Sequence, residues 1–181
     1  MNRNTQIVLL IGLAALGAWL WFSRSGSTLA KSAGEAVSSG VTFVENLFRG
    51  ERNNNPGNIR ISTAPWQGKI PVAQNTDGAF EQFDTVQNGI RALGKLMLTY
   101  SNLGFRTVRQ IINRYAPPSE NITGSYITAV AQGVGVAPDD AINVRDPATM
   151  FKLARAIIKH ENGRVIYGDD VIRENVNRAL T

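Results

Sequence analysis

The stretch RGERNNNPGNIR, residues 49–60, decides how this chain is read. One glutamate runs into three asparagines and then Pro-Gly-Asn, and the texture of the sequence differs on its two sides. Asn and Gly tolerate positive φ, and Asn side chains bond nearby backbone, so the segment predicts a tight corner. The same neutral amides offer paired donors and acceptors, the chemistry that holds sugar hydroxyl and N-acetyl groups. The two roles are compatible, and Asn54, Asn55 and Asn58 are the candidate ligand contacts in the corner.

Upstream, VTFVENLF (residues 41–48) places Val41, Val44, Leu47 and Phe48 at helical spacing, which predicts a short amphipathic helix ending near Gly50. Downstream to Phe83, Pro65, Gly68, Pro71 and the turn NTDG (residues 75–78) punctuate short runs such as AFEQF, which predict brief strands in a small lobe. After Asp84 the pattern is helical. Asp84 or Thr85 caps a segment whose Ile90, Leu93, Leu96, Met97 and Tyr100 form one stripe. TVRQIINRY follows, then ENITGSYITAVAQG capped by Ser119, then PATMFKLARAIIKHENG opened by Asp146-Pro147, then GDDVIRENVNRAL. No repeat is present. The expected class is α+β, mainly α: a helix, a small β-lobe and four or five helices, with a cleft between lobe and helical body.

Zero cysteines in 181 residues exclude disulfides and a thiol nucleophile, and the single histidine, His160, argues against a zinc site. No cofactor is expected. A formal charge of +5 fits an anionic partner: nucleic acid, lipid headgroups or an acidic wall polymer. The basic residues are dispersed and no nucleic-acid motif accompanies them, which ranks nucleic acid last.

The N-terminus carries IVLLIGLAALGAWLWF (residues 7–22), sixteen residues without a charge and with two tryptophans at the end. That length, slightly extended, matches a hydrocarbon core, and the tryptophans suit an interfacial belt. Residues 1–23 are therefore expected to be a transmembrane anchor, with a cleaved secretory signal ending at Ala30 as the competing reading. Residues 24–40, rich in Ser, Gly and Ala, read as a flexible linker. Residues 41–181 form the remaining domain.

Several chemistries are excluded. The chain has no phosphate-binding Gly-rich loop followed by Lys, no Gly-x-Ser-x-Gly elbow, no His-Glu-x-x-His and only one histidine for any triad. Carboxylate chemistry remains. A glutamate at a helix end, partly desolvated and surrounded by amides, has its acid form favoured and can protonate a leaving oxygen, which glycoside cleavage requires. Glu51, beside the amide cluster, ranks first. Glu120 opens a later helix, where a carboxylate also complements the macrodipole. Glu161 ends the HENG helix, where negative carbonyl ends raise a carboxylate pKa. Each also has a plain surface or helix-end reading.

NNNPGNIR, then PWQG, GAFEQFDTVQNGIRAL and TVRQIINRYAPPSENITGSYITAV, resembles a family of bacteriophage virion-associated and prophage lytic proteins, among them lytic proteins of membrane-containing phages. That family is similar in fold to lytic transglycosylases and goose-type lysozymes, and the resemblance covers the chain from about Arg49 onward. It implies a lysozyme-like domain that cuts peptidoglycan as the phage enters or leaves its host. In lytic transglycosylases the catalytic glutamate ends a helix and precedes an Asn-Pro pair by four and five residues, the spacing of Glu51 to Asn55-Pro56. Gln82 in GAFEQF resembles the glutamine of the next family segment, TYSNLGF loosely echoes a Tyr-Asn-Ala-Gly turn, and Glu120 with Tyr126 resembles the Glu-Thr helix start with its site-side tyrosine. The resemblance departs at Arg52, where that family carries Ser, and the Gly-Leu-Met-Gln segment is absent.

The expected function is thus cleavage of the β-1,4 bond between amino sugars, by a lytic transglycosylase or muramidase. The expected partners are glycan strands, a bilayer at the N-terminus and other virion proteins. The expected location is the virion membrane or bacterial inner membrane, with the domain facing the wall. A muramidase would need a second carboxylate, for which Asp77, Glu81 and Asp84 are the candidates, and Trp66 is a candidate sugar platform or core residue. The alternative is a non-enzymatic, membrane-anchored virion protein that binds wall glycan or scaffolds the capsid vertex.

Overall fold

The computed structural model describes residues 49–117 and 123–181. The expected anchor, linker and 41–48 helix, with Ser119 and Glu120, lie outside the described residues. No described helix is long and apolar enough to cross a membrane.

Among the described residues the order is α1 (Arg49–Arg52), a 3-10 turn (Val72–Gln74), α2 (Val86–Asn102), α3 (Val108–Tyr115), α4 (Thr123–Val134), α5 (Pro147–Asn162) and α6 (Asp169–Leu180). The helix starts follow from capping. Thr85 accepts from the Asn88 amide, Thr107 and Gln110 form a reciprocal capping box, and Asp146 accepts from Thr149 ahead of Pro147, each supplying an acceptor to an otherwise unpaired N–H. α5 ends on Gly163 at φ 68°, a conformation that glycine adopts without strain.

The core is the shared apolar face of these helices. Ile90, Leu93 and Met97 of α2, Val108, Ile111 and Ile112 of α3, Met150, Leu153, Ile157 and Ile158 of α5, and Ile172 and Val176 of α6 are fully buried. Each such side chain contributes about 1.5–3 kcal/mol of burial. α2 packs chiefly on α6, and α5 on both α4 and α6. The predicted stripe on α2 is the buried one, except that Leu96 is only partly covered.

The lobe differs from expectation. Residues 59–83 form no strand, only isolated antiparallel bridges, Arg60 with Phe80 and Lys69 with Phe83. Pro65 and Pro71 lack the N–H that a ladder needs, and Gly68 and Gly78 adopt positive φ. Side chains replace the ladder. Lys69 Nζ sits 2.8 Å from Glu81 Oε1, which also accepts from the Ser62 amide at 2.9 Å. Asn75 Nδ2 donates to the Phe80 carbonyl at 2.8 Å, and its Oδ1 accepts from the Asp77 and Gly78 amides. The fold is therefore mainly helical, with an irregular lobe in place of a sheet.

Candidate active site

The 49–60 corner is held from inside by its own asparagines. Asn54 and Asn58 adopt positive φ, 49° and 50°, as an Asn-rich corner predicts. Asn55 is 0% exposed. Its Nδ2 donates to the Ile59 and Glu81 carbonyls, both at 2.9 Å, and its Oδ1 accepts from the Ile59 amide at 3.0 Å. Asn54 Nδ2 donates to the Phe83 carbonyl at 3.0 Å. Gln82 is spent likewise, its Nε2 on Asn53 Oδ1 at 3.0 Å and its Oε1 on the Thr76 amide at 2.8 Å. Asn55 has no surface to offer, which corrects the ligand contact expected of it, while the Asn54 and Gln82 side chains are half-buried and brace the lobe through these bonds.

Asn58 is different. Its Nδ2 donates to Glu161 Oε2 at 3.1 Å, and its Oδ1 is buried without a hydrogen-bond partner. Tyr126 Oη donates to the other carboxyl oxygen, Oε1, at 2.7 Å. One carboxylate is thus gripped by a loop amide and by a phenol from α4. The Tyr126 ring is buried and stacks on His160, with centroids 3.6 Å apart and planes at 14°. Its hydroxyl serves Glu161, so the expected sugar contact at Tyr126 becomes a positioning contact. Tyr115 at the end of α3 donates to the Gly57 carbonyl and closes the corner from the other side.

Asn162 ties α5 to this corner. It is buried, and its Nδ2 donates to the Pro56 carbonyl at 2.7 Å and to the Ile158 carbonyl at 2.8 Å. A side chain at Gly50 would collide with Asn162 Oδ1, so glycine is what lets α1 lie against the end of α5.

Burial pushes the Glu161 carboxyl above its ordinary range, against the bonds from Tyr126 and Asn58 and the charge of Arg60, which pull it down. Burial, and then the neighbouring Glu161 charge, push the Tyr115 and Tyr126 phenols well above theirs. Burial lowers His160. The cluster therefore favours a neutral acid among neutral rings.

Glu51 sits in different surroundings. It lies within the α1 turn rather than after a helix, and its Oε1 pairs with Arg164 at 2.7 Å, with side chains 35% and 60% exposed. The structure brings it to the rim of the α5 end but gives it a guanidinium partner. The three second-carboxylate candidates are committed locally: Glu81 to Lys69, Asp77 to Arg49, Arg52 and Asn53, and Asp84 to Asn88. Trp66 is partly buried against the core and is not among the side chains that contact Glu161. Among the described residues no set of three His, Cys, Asp or Glu could hold a metal ion.

Sequence reasoning missed Tyr115, Asn162 and the stacking role of His160. Asn162 had a signal: an amide directly before the C-capping glycine of an apolar helix, where a polar side chain needs a buried partner.

No protein-family profile matches the chain. Protein P5 of Pseudoalteromonas phage PM2 is 35% identical over 150 residues, which covers 81% of this chain and 91% of that protein. An identity of that size across most of both chains means that this chain belongs to the family of the phage Protein P5.

Proposed function

We propose that the chain is a phage lytic enzyme with a lysozyme-like domain, which cleaves the β-1,4 bond between amino sugars of peptidoglycan with Glu161 as the general acid. The observation that carries this reading is the Glu161 cluster: a desolvated carboxyl at a helix end, raised in pKa and aimed by Tyr126 and Asn58. The membership of a phage protein family agrees with the setting. The resemblance to lytic transglycosylases supplies the reaction class, with the acid placed at Glu161 rather than Glu51. The predicted anchor at residues 1–23 would hold the domain at a membrane facing the wall.

Protonated Glu161 gives its proton to the bridging oxygen, and the sugar on the other side develops oxocarbenium character. Tyr126 and Asn58 then stabilise the carboxylate that remains, so the leaving-group proton is released into a site already built for the anion. Asn58 serves the site through its amide bond to Glu161, its own Oδ1 being buried. Collapse by the sugar's own hydroxyl, whose proton passes to the Glu161 carboxylate, needs no second carboxylate, and among the described residues none is hydrogen-bonded to this cluster.

The test is digestion of purified peptidoglycan by the full chain, without added metal, followed by mass spectrometry of the soluble fragments. Anhydromuramyl ends identify a lytic transglycosylase and new reducing ends a muramidase. Release of free peptides alone, or no release, refutes the reading.

A further inference from the structure

α4 and α5 meet along small residues. A Cβ on Gly133 would lie 2.6 Å from the Ala156 Cβ, so the helices approach more closely there than side chains on both would allow. The approach leaves a shallow groove of about 500 Å³, with Gly133 and Ala156 in its floor and Lys152, Arg155, Lys159 and His160 along it. Those four cluster at helical spacing on one stripe of α5. No carboxylate lines the groove. Arg155 is tied to Asp169 at 2.7 Å, whereas Lys152 and Lys159 make no ion pair among the described residues. Lys152 does act through space on Asp146, the cap of its own helix.

One side chain links the groove to the Glu161 cluster. His160 lies along the groove and also stacks on Tyr126, whose hydroxyl donates to Glu161. A cationic furrow therefore starts one aromatic ring from the carboxyl. In peptidoglycan a short peptide hangs from every second sugar, so a strand with its glycosidic bond at Glu161 carries such a peptide beside that bond. The peptide bears several carboxylates and mostly small side chains, which suits a floor of Gly and Ala with lysines at its edge.

We propose that this groove is a subsite for the carboxylate-bearing stem peptide, held by Lys152 and Lys159 while the glycan lies at Glu161. The assignment rests on the glycan-cleaving reading and adds a substrate preference to it: the enzyme works on peptide-bearing strands in preference to bare glycan.

The test uses the full chain in mild detergent, with glycan strands bearing stem peptides and the same strands stripped by an amidase. The unaltered protein is expected to show the lower KM on peptide-bearing strands. The double variant Lys152→Gln/Lys159→Gln narrows that difference by about threefold to tenfold, the range for two exposed charge contacts. A charge-matched double variant on α2, Arg91→Gln/Lys95→Gln, keeps it. Equal KM on both strands overturns the subsite, and so does an equal loss in both double variants, which would assign the effect to net charge. Titration calorimetry of free stem peptide into Glu161→Gln protein separates this proposal from the activity it rests on. Binding that weakens with salt and in the lysine variant supports the subsite even if neither strand is cut, an outcome that sinks only the glycan-cleaving reading. No binding at millimolar peptide overturns the subsite.

Discussion

Replacing Asn55 with Ala separates a corner pinned from within from a corner that contacts sugar. The substitution removes three hydrogen bonds in one place. The Ile59 carbonyl keeps a bond from the Glu81 amide at 2.8 Å, so it is not orphaned. The Ile59 N–H and the Glu81 carbonyl lose their partners in a region without solvent access. Each buried group left unpaired costs about 1–3 kcal/mol, giving roughly 4 kcal/mol for the two. For a domain of this size about 3 °C accompanies each kcal/mol, so the melting temperature is expected to fall by roughly 12 °C. Thermal unfolding followed by circular dichroism, at fixed pH and salt, reads that shift directly. A fall of less than about 3 °C together with a clear rise in KM for glycan would refute the reasoning and return Asn55 to the role of a ligand contact.

Glu51→Gln breaks only an exposed ion pair with Arg164, worth about 0–1 kcal/mol, and is expected to leave both the melting temperature and the rate of peptidoglycan clearing close to those of the unaltered protein. Tyr126→Phe removes a donor that favours ionised Glu161, so the Glu161 pKa rises further and the alkaline limb of the pH–rate profile moves to higher pH; a limb that stays in place contradicts the contact. Gly94→Ala puts a methyl 2.7 Å from the Ala179 Cβ at the α2–α6 contact, and denaturant titration is expected to show a loss of about 1–3 kcal/mol.

The helices were legible because their signals are local. Thr85, Thr107 and Asp146 cap where a side-chain acceptor precedes an apolar stripe, and the α2 stripe at helical spacing is the face that packs. The lobe was misread because AFEQF alternates like a strand, while the partner that would complete a ladder is interrupted by Pro65 and Pro71. What holds it instead is long-range: Asn53 to Asp77 and Gln82, and Lys69 to Glu81, pairings that no local pattern announces. The corner was recognised as a turn, but its asparagines were indistinguishable as a string. Burial separates them, turning Asn55 inward and leaving Asn58 to face Glu161 across 103 residues of chain. The Glu51 side chain, singled out by its spacing to Asn55-Pro56, pairs with Arg164. The carboxylate that meets the corner comes from α5, brought there by Asn162 on the Pro56 carbonyl.

Glu161→Gln is the substitution on which the account stands, because it keeps the shape and the hydrogen-bonding capacity of the side chain and removes the transferable proton. The measurement is the initial rate of soluble fragment release from purified peptidoglycan, alongside the unfolding free energy from pH 4 to pH 8. The rate is expected to fall by about 10²-fold or more. Stability is expected to move the other way. A carboxyl raised in the folded state contributes fully below its unfolded pKa and loses that contribution as pH rises through the folded value, so the variant gains on the unaltered protein as pH increases across that window. A folded Glu161→Gln protein that releases fragments at the unaltered rate would contradict the central claim, whatever its stability.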